Sequence, residues 1–397
     1  MVPSPSLRYR RRRSRFRAAV AVGAAVAAGL AAPLLAVAAT APAAAAQEVV
    51  DLPELTGNRG QTQDHGRVDP EPRQRPGKGP GGYNGFSAHP MIDVGEECVP
   101  SPLWVKDVDK SSYELGCEEI EAMLANNKRF VGEGRVRKVY LAEYGDQTVA
   151  VKVLQHQDQV NRHRIEVATM DAVRGNPHIV QTLGICNTTV VTEAFTLTLS
   201  SAMRKRTTAL PIGEAVTMSL DAVRGLQALH EAIGGPIVHF DLKPPQILVT
   251  GIGQVKLNDF NVAWFMSRGP DGKPCPFNMG IEHRGQTSPW RSPEYHARKA
   301  DDDEELRQRC DDEDNQEPMT EKVDIYSMGL IFLLIIAGDG MRMPVAQESK
   351  DDVPVFATPW HRSYYEIAQD MIVEEANRRP SARQVAERLD VILHELP

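Results

Sequence analysis

Two aspartates, Asp241 and Asp259, stand eighteen residues apart in the run from His239 to Asn261, each beside a phenylalanine. Lys243 follows the first aspartate by two residues, and an amide, Gln246, follows it by five. Transfer of a phosphoryl group from ATP to a hydroxyl needs one carboxylate to orient the attacking oxygen and another to hold magnesium against the phosphates. It also needs a cation beside the group in transit. All three types occur here within the length of one loop and one hairpin.

A second constellation lies upstream. Gly132 and Gly134 are one residue apart, a spacing that lets backbone amides approach nucleotide phosphates, with Val139 placed to cover a base. A glycine pair alone is weak evidence, since any tight turn holds one. Eighteen residues after Gly134 comes Lys152, flanked by Val149, Ala150, Val151 and Val153. A solvated strand lysine is the ordinary alternative; apolar flanks on both sides favour a lysine turned toward an anion.

These residues need elements to position them. Short β-branched runs at 139–143, 148–154, 179–185 and 190–193 predict strands of a small antiparallel sheet. Between them, Ile165, Val167, Met170 and Val173 recur at near-helical spacing and predict a helix over 159–173. Further helices are expected at 212–232, 322–337, 363–374 and 381–396, the last with Ser381 as its N-cap. A strand-rich lobe followed by a helical one is the α+β class. Residues 47–95 are rich in Pro, Gly, Gln and Arg and read as a flexible stem, with order beginning near Cys98. The almost wholly charged segment 301–317 reads as a solvated insertion.

The chain has 397 residues, 42% hydrophobic and 25% charged, and a net charge of −8. Seven arginines and no acid within the first seventeen residues conceal a body more acidic than that figure. Such a body argues against a nucleic-acid partner. Residues 18–46 carry no charge and are mostly alanine and valine. Segment 1–46 therefore reads as a secretory signal peptide or a signal anchor with its arginines in the cytosol, and an organellar transit peptide is the third option. The apolar run 328–337 is too short to span a bilayer and suits a buried helix.

The stretch around Asp241 closely resembles the protein-kinase catalytic loop HRDLKxxN followed by the DFG metal site, and Val149 to Lys152 resembles V-A-I-K. Ser292-Pro293-Glu294 is similar to A-P-E, with Arg379 of RRPSA as the implied partner of Glu294. Asp324 resembles the helix aspartate that braces the catalytic loop. The resemblance covers residues 128–397 and implies a two-lobed kinase-like fold, with a small lobe over 128–195 and a large lobe over 196–397. A cysteine-bearing extension, 96–127, precedes it. ATP and Mg2+ are the implied cofactors. Asp241 would accept the hydroxyl proton and Lys243 would neutralise the phosphoryl group. Lys152 would meet the phosphates with Glu166 as its helix partner. Gly132, Gly134, Val139, Ala150, Thr192, Glu193 and Phe195 would surround the nucleotide, and Gln246 and Asp259 would hold the metal.

Three departures stand out: Phe240 for the arginine of HRD, Gln246 for the usual asparagine, and Asn261 for the glycine of DFG. The longer Gln246 loosens the metal seat, Asn261 is a mild change because asparagine tolerates left-handed backbone, and Phe240 removes the usual anchor for activation-loop phosphorylation. The small lobe also looks like protein O-mannose kinase, a secretory-pathway family, with Arg137 at the third glycine position. Kinase-like proteins of unicellular algae share the NDFN and WRSPE segments. The expected reaction is phosphorylation of a protein, Ser/Thr favoured by Lys243. A glycoprotein-glycan kinase and a pseudokinase scaffold are the alternatives. Of five cysteines, Cys98 and Cys117 could bridge just before the small lobe and Cys275 could meet Cys310, leaving Cys186 as a buried thiol, whereas in a cytosolic protein all five would be free. Asn187-Thr188-Thr189 is a glycosylation sequon at an expected hairpin tip.

Overall fold

A computed structural model describes residues 91–93, 97–279, 288–296, 318–337 and 358–397, apart from 105, 106, 127, 205 and 207–209. The leader 1–46, most of the stem and the acidic segment with Cys310 lie outside these residues. Strand β1 (Met91–Asp93) falls within the stretch read as a stem. The chain then runs through helix α1 (Cys117–Asn126), β2 (Lys128–Glu133), β3 (Arg137–Tyr144), β4 (Gln147–Leu154), α2 (Val160–Ala172), β5 (Thr182–Cys186) and β6 (Thr189–Glu193). The last five strands form one antiparallel sheet in the order β2-β3-β4-β6-β5.

Two of the sheet's hairpins turn where the sequence permits it. Gly145 between β3 and β4 and Asn187 between β5 and β6 adopt positive φ, which glycine and asparagine tolerate best. The expected strand at 179–185 starts later, because Ile179 and Val180 are drawn into the large-lobe core, with the Val180 N–H donating to the Leu257 carbonyl at 3.0 Å.

The large lobe contains β7 (Leu197–Thr198), α3 (Leu199–Arg204), α4 (Ile212–His230), β8 (Ile237–Val238), β9 (Ile247–Val249), β10 (Val255–Leu257), β11 (Trp264–Phe265), β12 (Phe277–Met279), α5 (Pro293–His296), α6 (Lys322–Ala337), α7 (Pro359–Met371) and α8 (Ala382–Glu395). Helix α6 is buried along most of its length, as its apolar run requires. Ser381 caps α8 in a reciprocal capping box with Gln384. Helix α7 begins earlier than the apolar spacing suggests, because Thr358 caps it and Pro359 fits the first turn.

Residues 97–126 pass from the large lobe to the small one. Strand β1 pairs with β12, Val99 bridges to Arg268, and the Trp104 ring packs 4.8 Å from that of Phe265. Further on, the Leu115 N–H donates to the Leu183 carbonyl at 2.8 Å, and Leu115 presses on Gly184, where an added Cβ would meet the Leu115 Cβ at 2.5 Å. Only glycine fits that approach. Ile120 and Met123 of α1 then cover the outer face of the sheet, against Ala142, Val149, Val151 and Val191.

The cysteine pairing differs from the expectation. Cys98 bonds Cys275, and Cys117 bonds Cys186. The extension does not fold back on itself, so its two cysteines cannot meet. Instead Cys117 opens α1 beside the end of β5, which Cys186 terminates. Cys98 sits where Val99 pairs with Arg268, next to the turn carrying Cys275, whose N–H donates to the Ser267 carbonyl at 2.8 Å. Cys186 is buried as expected but bridged rather than free.

Candidate active site

Strand register assembles the roof of the site. Val139 lies opposite Lys152, and Ala150 opposite Leu141 and Thr192. Directly opposed residues share a face and positions two apart repeat it, so Val139, Ala150, Lys152 and Thr192 line one surface of the sheet. The other surface is the one α1 covers. Gly132 is paired with Val139 at the sheet edge, and an added Cβ at Gly132 or Gly134 would meet nothing within 4 Å. Neither has positive φ. Packing and conformation therefore do not require glycine there.

Lys152 reaches two partners. Its Nζ donates to Asn258 Oδ1 at 2.7 Å and lies 3.5 Å from Glu166 Oε1. Glu166, on α2, is only 2% exposed, and Arg137 takes its other oxygen through Nε at 2.7 Å and Nη2 at 2.6 Å. Burial pushes the Glu166 carboxyl up, but Arg137 and Lys152 together override it and hold it below the usual range. Arg137 opens β3 with its side chain buried, not in the glycine loop. It also donates to the Thr188 carbonyl at 3.1 Å and to His163 Nδ1 at 2.9 Å. Because arginine only donates, His163 accepts at Nδ1 and its Nε2–H donates to the Asn187 carbonyl at 3.0 Å. Burial, then the Arg137 charge, lower its pKa to about 4.

Around the adenine edge, Thr192 is buried and its hydroxyl donates to the Glu193 carbonyl at 3.0 Å. Glu193 is engaged elsewhere: its N–H donates to the Gln181 carbonyl at 3.1 Å and its carboxylate binds Lys256 at 2.6 Å. Its carbonyl keeps a second lone pair, and Phe195 is half-buried.

The catalytic loop hangs from one carboxylate. Asp324 of α6 accepts from the His239 N–H at 2.6 Å and the Phe240 N–H at 2.9 Å, and His230 lies 3.2 Å away. This holds Phe240 at φ +64°, a left-handed conformation costly for a bulky residue. Asp259 adopts φ +66°. Asp241 then receives Lys243 Nζ at 2.7 Å and Gln246 Nε2 at 3.2 Å on Oδ2, and Arg291 Nη2 at 3.0 Å on Oδ1. Gln246 Nε2 also reaches Asp259 Oδ2 at 2.9 Å, and Asn261 Nδ2 donates to Asp259 Oδ1. Burial, then Glu166 and Asp241 nearby, raise the Asp259 pKa, opposed by Lys152. Glu294 and Arg379 form the implied ion pair at 2.6 Å, almost fully buried.

The donor set suits magnesium. Among the described residues no group of three or more His, Cys, Asp or Glu is arranged to hold a metal alone. Mg2+ ordinarily takes one or two carboxylates and completes its shell with phosphates and water. Asp259, a carboxylate whose burial disfavours its charge, gains from a cation. The Gln246 amide already bridges the two aspartates and presents its oxygen once rotated.

The structure brings together every sequence-assigned residue of the loop and of the lysine site. It adds Asn258 and Arg291, and it moves Arg137 from the expected third glycine position to the Glu166 ion pair. Arg137 was findable: two residues before Val139 in a strand, it faces the same way as Lys152.

A two-lobed fold in which a strand lysine is paired with a helix glutamate, and a braced loop aspartate is joined by Gln246 to a second aspartate, defines a phosphotransferase of the kinase type. The description "Protein kinase domain" matches residues 125–389, and the chain belongs to that family. It is similar to Serine/threonine-protein kinase 12 of Arabidopsis thaliana, 26% identical over 383 residues, covering 89% of this chain and 74% of that protein. Serine/threonine-protein kinase CTR1 of Arabidopsis thaliana is 31% identical over 241 residues, covering 56% of this chain and 26% of that protein. Dual specificity protein kinase shkA of Dictyostelium discoideum is 29% identical over 238 residues, covering 58% of this chain and 40% of that protein. The chain thus spans well under half the length of the latter two.

Arg137→Met leaves Glu166 buried with Lys152 alone. We expect a loss of about 3 kcal/mol in urea unfolding, in the range for breaking a buried pair, and weaker ATP binding. An unchanged midpoint would show the Arg137 contact to be dispensable. For His163, the folded pKa of about 4 lies below the ordinary 6.5. The unfolded chain therefore binds the extra proton between these values, and the stability, complete above pH 6.5, falls as pH drops toward 4 by roughly 2–3 kcal/mol. His163→Gln should flatten that part of the pH–stability curve; a slope identical to the wild type would rule His163 out as its source.

Proposed function

We infer that this kinase transfers the γ-phosphate of ATP to a serine or threonine hydroxyl of a protein. The observation that carries the reading is the Asp241 carboxylate held between Lys243 and Arg291, with Gln246 joining it to Asp259. A carboxylate has about four lone-pair sites, and three donors reach this one among the described residues, so one site on Oδ1 is left for an acceptor hydroxyl. Asp241 orients that hydroxyl and takes its proton as the oxygen attacks. Lys243 stands within a hydrogen bond of the same carboxylate and stabilises charge on the group in transit. Lys152 and the open edge at Gly132 and Gly134 would hold the phosphates, and Asp259 with Gln246 would hold Mg2+, which supplies charge neutralisation when bound. Lys243 and the names of the Arabidopsis relatives support Ser/Thr as the acceptor.

One observation favours a second reading, a nucleotide-independent scaffold: both oxygens of Asp259 are already engaged by neutral amides. The full chain incubated with ATP, Mg2+ and myelin basic protein distinguishes the two. We expect turnover on protein that Asp241→Asn lowers at least about 100-fold while the ATP-induced thermal shift persists. No turnover and no shift in the wild type would favour the scaffold, and phosphate appearing only on a mannose acceptor would move the substrate class.

The two bridges across the extension support an oxidising compartment, and the uncharged stretch 18–46 suits a leader that delivers the chain there. Among the described residues no helix is long and apolar enough to cross a membrane. A thiol-reactive label applied to the cell-derived protein before reduction should spare Cys98, Cys117, Cys186 and Cys275. Labelling of these four would place the chain in a reducing compartment.

A further inference from the structure

Arg291 is fixed more firmly than a surface arginine. Its side chain is 17% exposed. Its guanidinium stands 5.0 Å from the Phe240 ring centroid and 4.6 Å from that of Tyr295. Cations over aromatic faces are attracted by the ring quadrupole, more so when partly desolvated. The backbone beneath it is tied on both sides: the Trp290 carbonyl accepts from Ser327 Oγ at 2.6 Å, and the Arg291 N–H donates to the Ser288 carbonyl at 3.2 Å. From this platform Nη2 reaches Asp241 Oδ1.

The division of donors on Asp241 gives this contact a purpose. Lys243 and Gln246 both bind Oδ2, the oxygen turned toward Asp259 and the metal side. Arg291 is the donor that reaches Oδ1 among the described residues. Without it, one end of the carboxylate is pinned and the other turns. Phe240 belongs to the same device. Standing where the related loops carry arginine, it offers a ring instead, and its left-handed backbone sets that ring against the guanidinium.

We propose that Arg291 is a positioning residue that fixes the Asp241 carboxylate for proton transfer, acting from a platform made by Phe240 and Tyr295. This rests on Asp241 serving as the base. The test is steady-state magnesium-dependent ATP hydrolysis by the full chain, with water as acceptor, for wild type, Arg291→Met, Arg291→Lys and Phe240→Leu. Arg291→Met should lower kcat about 10- to 100-fold, part of the usual contribution of a positioned base, with KM for ATP within about twofold because no nucleotide residue is touched. Arg291→Lys, which keeps the charge but not the planar fork, should recover part of the loss. Phe240→Leu should lower kcat by less than Arg291→Met and leave KM equally unchanged. A kcat for Arg291→Met within threefold of wild type, or above it, overturns the proposal. So does a fall in kcat accompanied by a matching rise in KM and no recovery in Arg291→Lys, which marks a structural role. Wild-type hydrolysis that Asp241→Asn does not reduce overturns the base itself, a result distinct from failure of Arg291 alone.

Discussion

A buried carboxylate between two cations is the interaction on which the small lobe depends. Glu166 is almost wholly removed from water, and an ion so placed persists only when its partners satisfy it. Lys152 and Arg137 do so from adjacent strands, one on each oxygen. Helix α2 is thereby locked to β3 and β4 independently of any nucleotide. Arg137 extends the lock outward, since it and His163 bind the backbone carbonyls of Thr188 and Asn187 at the tip of the β5–β6 hairpin. One residue away, Cys186 is bonded to Cys117. A charge that orients the catalytic lysine is thus connected through one hairpin to the extension, and through Cys98 and Cys275 to the large lobe.

The large lobe solves a different problem, that of holding a strained loop still. Phe240 and Asp259 both sit at positive φ, and such residues persist where the surroundings over-determine them. Asp324 takes two consecutive N–H groups of the loop. The His239 imidazole reaches the Asn258 carbonyl at 3.0 Å, and the Asn258 N–H donates to the Gln246 carbonyl at 3.0 Å. The strands before and after the hairpin are therefore tied to the loop from within. Asn258 also accepts from Lys152, so the same residue joins the lysine of one lobe to the loop of the other.

Much of this was readable in the sequence, because it rests on periodicity and short spacing. The alternation Val149-Ala150-Val151-Lys152 sets the lysine and alanine on one face whatever the rest of the chain does. Ser381 and Gln384 announce the last helix through a local capping pattern. Asp241, Lys243 and Gln246 meet because one short loop carries them. Long-range contacts were readable where a family motif carries them, as for Glu294 with Arg379, and not elsewhere. Cys98 meets Cys275 across 177 residues and Arg291 meets Asp241 across 50, and no local rule ranks such pairings. Proximity in sequence pointed to Cys98 with Cys117, and the extended path of the intervening chain defeats that choice. Helix α1 was missed for a related reason: its apolar face is narrow and becomes intelligible only with the outer face of the sheet above it.

The departures from the usual kinase loop form one consistent local chemistry. Two carboxylates and a third at Glu166 crowd a buried region, and their mutual repulsion, added to desolvation, disfavours charge on Asp259. Cationic or neutral donors must offset it while no metal is bound. Gln246, one methylene longer than asparagine, spans from Asp241 to Asp259 with a single nitrogen. Asn261, with a side chain where glycine has none, serves the remaining oxygen of Asp259. An amide donor to a carboxylate contributes roughly 1.5–3 kcal/mol, far less than the attraction of a divalent cation for the same oxygens in a site of reduced dielectric. The amides therefore hold the aspartates in place without competing with a metal that arrives with phosphates. In this arrangement Gln246 and Asn261, which look like losses from the standard pattern, hold the two carboxylates in orientation while no metal is bound.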